Sequence, residues 1–313
     1  MHELNYQIDD FIFHCRYEKN LSSNSLKAYR IDLDQFKTFI SLESNHDDLS
    51  KVDKYCIKKY IQFLSEKNKP KTVKRKIATL KAFFSYLEFE DIIEINPFHK
   101  IRINIHEGKQ LPRTIDKKVI NKLFKHLYNL KNNFEQKDRY SFFSTVRDIA
   151  VLELLFSTGL RVFELCNLKK ENVNLKTGYV KITGKGNKER IIPICSPETL
   201  QALKEYFILF QNFIMIKGYF FINRLNQRLS EQSVRFMIKK YSIEIGTEEK
   251  ITPHMFRHSI ATMLLENGVD IRYIQDFLGH SSISTTQIYA KVNREASRKI
   301  LNRKHPRNHM NFN

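Results

Sequence analysis

The sequence predicts a mainly α chain of two domains, with a small antiparallel sheet confined to the second (an α+β domain). Three observations carry this expectation. The 313 residues are enough to bury two separate cores. Apolar side chains recur every three or four residues along most of the chain, the spacing of one helix face. Only between residues 172 and 195 does the period shorten to two, around a turn flanked by glycines.

The first hundred residues read as four or five helices separated by short breaks. Ser22 and Ser23 are N-cap candidates ahead of a stripe formed by Leu26, Tyr29, Leu33, Phe36 and Ile40. A further helix is expected over about 52–65, with Ile57, Tyr60, Ile61 and Leu64 on its apolar side. Pro70 suits the first turn of the next, whose inner face is Val73, Ile77, Leu80, Phe84 and Leu87. That helix start carries Lys69, Lys71, Lys74, Arg75, Lys76 and Lys81, which fits a phosphate or groove contact and equally a solvated charged end. Residues 96–115 break the helical pattern and read as an interdomain linker.

Helices resume near Lys117, and the strongly apolar stretch 146–156 stops at Gly159. Val180 and Ile182, then Ile192 and Ile194, alternate on either side of Gly184-Lys185-Gly186-Asn187. This reads as a hairpin with Lys185 exposed at its tip. The remainder returns to helices, among them a short one over 270–278 with Ile271, Ile274, Phe277 and Leu278 inward, ended by Gly279.

Composition narrows the function. Hydrophobic residues make up 42% and charged residues 28%, ordinary for a soluble globular chain. No apolar run approaches the ~18 residues of a membrane span. The N-terminal Met1-His2-Glu3-Leu4-Asn5 lacks the basic-then-apolar layout of a signal peptide. Cys15, Cys56, Cys166 and Cys195 lie far apart without CxxC pairing. That argues against a zinc site or a disulfide framework and fits a reducing cytoplasm. Net charge is +19, and the excess is uneven. Residues 1–103 hold 18 basic against 15 acidic side chains, whereas 104–313 hold 35 against 19. The second domain therefore carries most of a field suited to a polyanion. The richness in Lys, Ile and Asn also fits an AT-rich genome, which tempers the lysine count.

Cutting a phosphodiester without a metal requires cations to offset charge on the non-bridging oxygens. Arginine suits this, because its planar fork stays charged and matches two oxygens. A nucleophile and a proton donor for the leaving oxygen are needed too. In Thr158-Gly159-Leu160-Arg161-Val162-Phe163-Glu164-Leu165 a glycine turn puts Arg161 at the head of a helix, with Glu164 on the same face. Read alone, that segment fits an ordinary surface ion pair as well. In Thr252-Pro253-His254-Met255-Phe256-Arg257 the threonine is placed to cap and the proline to start a helix, so that His254 and Arg257 share its first turn. That is a natural anion site. His280 follows Gly279, and Tyr289 lies nine residues on; read alone, Tyr289 is a packing residue, as most such tyrosines are.

Order and context change this. The boxes LLFSTGLRVFEL (154–165), GKGNKER (184–190), HMFRHSIAT (254–262) and LGHSSISTTQIY (278–289) closely resemble the tyrosine recombinase/phage integrase family, and most of all its Xer-like members. The resemblance spans the second domain, and the helical first domain looks like that family's core-binding domain. It implies a two-domain DNA clamp: a helical SAM-like core-binding domain over 1–100, a linker over 101–115, a catalytic domain over 116–292 and a tail over 293–313. It also implies roles. Arg161 and Arg257 would clamp the scissile phosphate, with Glu164 supporting. Lys185 would be the general acid for the departing 5′-hydroxyl. His254 and His280 would hydrogen-bond the phosphate, with His254 a candidate to accept the proton of Tyr289. Tyr289 would attack to give a 3′-phosphotyrosyl bond. That bond would conserve the phosphodiester energy, so no cofactor, metal or ATP is expected. His258 reads as packing or support. Lys71, Lys74 and Arg75 are candidate DNA contacts of the first domain.

The partners implied are double-stranded DNA with inverted half-sites and further copies of the chain, joined as a synaptic tetramer that exchanges strands through a Holliday junction. A paralogous recombinase or a regulatory protein is a further candidate, and no membrane is involved. The Xer-like match points to chromosome dimer resolution, tied to chromosome partition and cell division. Alternatives are a mobile-element integrase or transposase, a DNA invertase, a relaxing enzyme of the type IB topoisomerase kind and a non-catalytic DNA-binding protein. Two departures stand out. Segment 129–145 looks longer than the usual link, and there is no separate arm-binding domain of the lambda kind. The tail resembles the Xer tail, which docks on an adjacent protomer, with Ile300 and Leu301 as its expected apolar anchors; a basic end lying along DNA is the other reading.

Overall fold

The computed structural model describes residues 2–44, 49, 52–106, 113–133, 139–184, 189–279 and 301–310. The chain divides into two compact units, Met1–Gln110 and Leu111–Asn313.

Among the described residues the first unit has four helices: α1 (His2–Tyr17), α2 (Ser23–Ser44), α3 (Lys54–Lys67) and α4 (Pro70–Phe89). The caps follow side-chain chemistry. Ser22 Oγ accepts the Ser25 backbone N–H at 3.3 Å, and Asp53 Oδ1 accepts those of Tyr55 and Cys56 at 2.9 Å each. The expected stripes meet in one core that includes Leu33, Phe36, Tyr60, Leu80, Phe84 and Leu87. Inside it sits a fully buried carboxylate, Asp32, which an apolar core tolerates only when paired. It accepts from Lys76 Nζ at 2.8 Å and Thr79 Oγ1 at 3.0 Å, and it pairs with Arg75. The basic start of α4 is therefore split: Lys76 turns inward, while Lys71, Lys74 and Arg75 are exposed. After α4, Ile93, Phe98 and Ile101 are buried in this core, and Ile103 and Ile105 pack against it.

The second unit is built around α6 (Arg139–Thr158), buried almost continuously from Thr145 to its end. Against it pack α5 (Lys117–Asn132), α8 (Pro197–Lys217) and α10 (Pro253–Glu266). Most of segment 129–145 is thus the end of α5 and the start of α6, with 134–138 outside the described residues. The short α7 (Val162–Cys166) leads to strands β1 (Val173–Asn174), β2 (Tyr179–Thr183) and β3 (Glu189–Pro193). They form an antiparallel sheet in that order, with Val180 opposite Ile192 and Ile182 opposite Arg190. Val180, Ile182, Ile192 and Ile194 are the buried face, as their alternation predicts. The hairpin tip, 185–188, with Lys185, lies outside the described residues. Helices α9 (Glu231–Glu244) and α11 (Ile271–Leu278) complete the unit, α11 being capped by Asp270 and stopped by Gly279 in the left-handed region.

Ile300 lies outside the described residues; Leu301, Met310, His305 and Arg307 are all buried in this unit. Arg307 donates to both oxygens of the fully buried Glu153 of α6, at 3.0 and 2.7 Å. Glu153 also accepts from Tyr128 Oη at 2.9 Å and Thr199 Oγ1 at 2.7 Å, so the buried charge is fully partnered. His305 Nε2–H donates to the Ser157 carbonyl at 2.6 Å, and its Nδ1 accepts the Arg307 backbone N–H at 3.1 Å. In the single chain, then, the described end of the tail docks on the last turns of its own α6.

A ring that donates from one nitrogen and accepts at the other is neutral. Burial, reinforced by the charges of Arg307 and His309, drives His305 down to about 4 against the opposing pull of the Ser157 carbonyl. Unfolded, the imidazole would charge near pH ~6.5, so between there and about 4 the unfolded chain takes up a proton that the folded chain refuses. Stability should fall across that window by up to ~3 kcal/mol. Denaturant midpoints measured from pH 7 to pH 4.5 should drop less steeply in His305→Asn than in the parent chain.

Candidate active site

The site grows from two helix starts and one helix end. At the first start, Arg161 is the N-cap of α7. Glu164, three residues on, reaches back so that its Oε2 accepts the Arg161 backbone N–H at 2.9 Å, while its Oε1 accepts from Arg161 Nη1 at 2.9 Å. The expected pairing of these two residues is present, but it is no surface ion pair, because the Glu164 side chain is only 4% exposed. A second arginine explains the burial. Arg190 of β3 grips the same carboxylate with both arms, Nη1 to Oε1 at 2.9 Å and Nη2 to Oε2 at 2.7 Å. Burial alone would raise the Glu164 carboxyl; the bonds and charge of Arg190, then those of Arg161, outweigh it and hold the group below the usual carboxylate range.

The second start is α10. Pro253 occupies its first turn, as expected, but Thr252 makes no side-chain cap bond, so the capping role read from the sequence is not realised. Arg257, one turn in, is buried. Its Nη1 donates to the Gly159 carbonyl at 2.7 Å and its Nη2 to the Leu278 carbonyl at 2.6 Å. Burial and the neighbouring positive charge of Arg161 pull it down to about 10, which leaves it charged at neutral pH.

The helix end is that of α11. Its last carbonyls have no partner within the helix and carry the negative end of the helix dipole. Leu278 O receives Arg257, and Gly279 O receives Arg161 Nη2 at 3.2 Å. Two guanidiniums from distant helices thus hang from adjacent peptide oxygens, in the residues immediately before His280. Close approach explains the glycines here. A Cβ on Gly159 (φ +60°) would lie 2.6 Å from Leu278 Cδ2 and 3.0 Å from Ile260 Cγ2. One on Gly279 (φ +67°) would lie 3.0 Å from Cδ, Nε and Cζ of Arg190.

His254 is exposed at the start of α10. Desolvation of its ring, and then the positive field of His258, Arg257, Arg161 and Arg235, hold it below the usual imidazole range. It is therefore neutral at pH 7 and able to accept a proton. His258 is partly buried and shifted the same way, by burial and by Arg257. Lys185, His280 and Tyr289 lie outside the described residues. Arg161, Glu164, His254 and Arg257 are brought together; Lys71, Lys74 and Arg75 belong to the other unit. Arg190 and Arg235 were given no role from sequence. The signal for Arg190 was its place in the period-two run with Ile192 and Ile194, which puts an arginine on the inward face of a strand.

Residues 113–296 match the phage integrase family and residues 8–91 its N-terminal SAM-like domain. A tyrosine recombinase of Agathobacter rectalis is 46% identical over the full length of both chains. Tyrosine recombinase XerC of Thermodesulfovibrio yellowstonii is 38% identical over 96% of each. The fold is shared with the XerH recombinase bound to palindromic difH substrate (TM-score 0.70, 21% identity, covering 91% of this chain and 81% of that one). The chain belongs to the phage integrase family, as an Xer-like tyrosine site-specific recombinase.

Gly159→Ala would force a side chain into left-handed backbone and against Leu278, at a combined cost of roughly 2–4 kcal/mol. Urea unfolding should show that loss, and DNA cleavage should fall further than DNA binding, because the Gly159 carbonyl that holds Arg257 moves with it.

Proposed function

We propose that this recombinase cuts and rejoins duplex DNA through a phosphotyrosine formed by Tyr289, with Arg161 and Arg257 clamping the scissile phosphate. The observation that carries this reading is the pair of charged guanidiniums held by the adjacent carbonyls of Leu278 and Gly279. Charge builds on the two non-bridging oxygens in the transition state, and arginine forks fixed beforehand meet it without reorganising. Glu164 holds the first fork. Tyr289 loses its proton to the neutral His254, its oxygen bonds to phosphorus, and the bond from phosphorus to the 5′ oxygen breaks. Lys185 gives that oxygen its proton, leaving a free 5′-hydroxyl and a 3′-phosphotyrosine. Rejoining is the reverse, with a 5′-hydroxyl from the partner duplex as nucleophile. His280 hydrogen-bonds the phosphate. Each bond broken is matched by one formed, so neither ATP nor an oxidant enters the balance.

Exchange between two duplexes needs four cuts, hence four copies of the chain on two inverted-repeat sites with a Holliday junction between the two pairs of exchanges. The tail segment 293–313 would pass between neighbours in that assembly, leaving its own α6 for that of the next copy. Lys71, Lys74 and Arg75, exposed on α4, would meet the phosphates of the half-site, Arg75 being held in place by Asp32. Chromosome dimer resolution in the cytoplasm is the role most in keeping with the Xer-like character. Cys15, Cys56, Cys166 and Cys195 form no disulfide with one another.

A nicked suicide duplex should trap the intact protein as a covalent adduct, whereas Tyr289→Phe should bind the same DNA and form none; equal adduct in both would remove Tyr289 from the reaction. Because His254 is held below the usual imidazole range, it remains neutral to lower pH than a free histidine. The acid limb of the adduct-formation rate should therefore fall below pH ~6.5. A limb at or above that value would take His254 out of the role of base.

A further inference from the structure

We infer that Arg190 is a positioning residue whose charge neutralises Glu164 and so leaves the charge of Arg161 available to the phosphate; the inference rests on the clamp reading above. Glu164 serves two tasks that conflict. It must hold Arg161, through the backbone N–H and Nη1, yet a lone buried carboxylate against a lone guanidinium would form a closed neutral pair. A phosphate would then have to compete for Arg161 with a carboxylate already in contact. Arg190 removes the conflict. It binds both carboxylate oxygens with its two terminal nitrogens at 2.7–2.9 Å, the strongest geometry open to this pair. Arg161 is left with a single side-chain bond to Glu164 and one to the Gly279 carbonyl. The group of three then carries a net charge of one positive unit, and the member with the most solvent access is Arg161, 38% exposed against 15% for Arg190.

Arg190 is also fixed from two further sides. It sits on the buried face of β3 opposite Ile182, in the strand that leads out of the hairpin carrying Lys185. The far face of its guanidinium lies against Gly279, where no side chain would fit without displacing it. Among the described residues its buried Nε meets no acceptor, and both terminal nitrogens are committed to Glu164. One arginine therefore joins the hairpin strand, the start of α7 and the end of α11. It acts on the reaction through Glu164 and touches no reacting atom.

The test is a double-mutant cycle read by single-turnover adduct formation on a suicide duplex, with half-site affinity and melting temperature measured in parallel. Arg190→Met leaves the Glu164 anion to pair with Arg161 alone, and adduct formation should slow by about 10- to 100-fold, the scale for groups that orient a reacting shell, with half-site affinity nearly unchanged. Adding Glu164→Gln removes that anion, so the double variant should cleave at least ~5-fold faster than Arg190→Met alone. A role confined to folding would instead lower melting temperature and binding together and leave the double variant no better than the single. Parental cleavage by Arg190→Met, or equal impairment of single and double variants, would overturn the inference. Tyr289→Phe and Arg161→Ala run alongside separate the two levels of argument: if either still forms adduct at the parental rate, the clamp reading fails; if both are dead while Arg190→Met is normal, only the role of Arg190 fails.

Discussion

Like charges repel, and a phosphate clamp requires cations held side by side before any phosphate arrives. In the function proposed, the catalytic unit is organised around that constraint. Arg257 is buried and lies within the field of Arg161, and both effects work against its charge. What keeps the two guanidiniums in place is oxygen: the carbonyls of Gly159, Leu278 and Gly279, and the carboxylate of Glu164. None of these is a mobile counter-ion. Each is fixed by a helix end or by a second arginine, so both guanidiniums are held in place before any ligand binds.

The same constraint explains features remote from the site. Gly159 and Gly279 let the backbone approach the side chains of Leu278 and Ile260, and of Arg190, where a Cβ would crowd them. The docked tail belongs to this scheme as well. His305 holds the Ser157 carbonyl, two residues before Gly159, and Arg307 ties down Glu153 one turn earlier. The last turns of α6, which lead into the turn bearing Arg161, are thus buttressed by the far end of the chain.

Much of this was legible in the sequence. The helix stripes of the first unit, the hairpin alternation, the stops at Gly159 and Gly279 and the pairing of Arg161 with Glu164 follow from spacing and turn chemistry that act over a few residues. The joining of Arg161, His254 and Arg257 followed from the order of four boxes and their family resemblance, since nothing local says that residues about a hundred positions apart converge. Other features were hidden for physical reasons. Glu153 sits in an apolar helix, and its partner Arg307 is 154 residues away, so neither looks buried by itself. Arg190 reads as one more cation in a basic hairpin unless the inward period of β3 is taken literally. Thr252 shows the converse: a residue of the right type at the right place that makes no side-chain cap bond.

The most direct test of the central claim is a structure of the Tyr289→Phe protein on the duplex that it protects from footprinting. The account predicts that the guanidiniums of Arg161 and Arg257 both lie within about 3 Å of the non-bridging oxygens of one phosphate, with the residue 289 ring facing the same phosphorus. Guanidiniums that meet different phosphates, or that keep to their carbonyls while another group contacts the phosphate opposite residue 289, would contradict it.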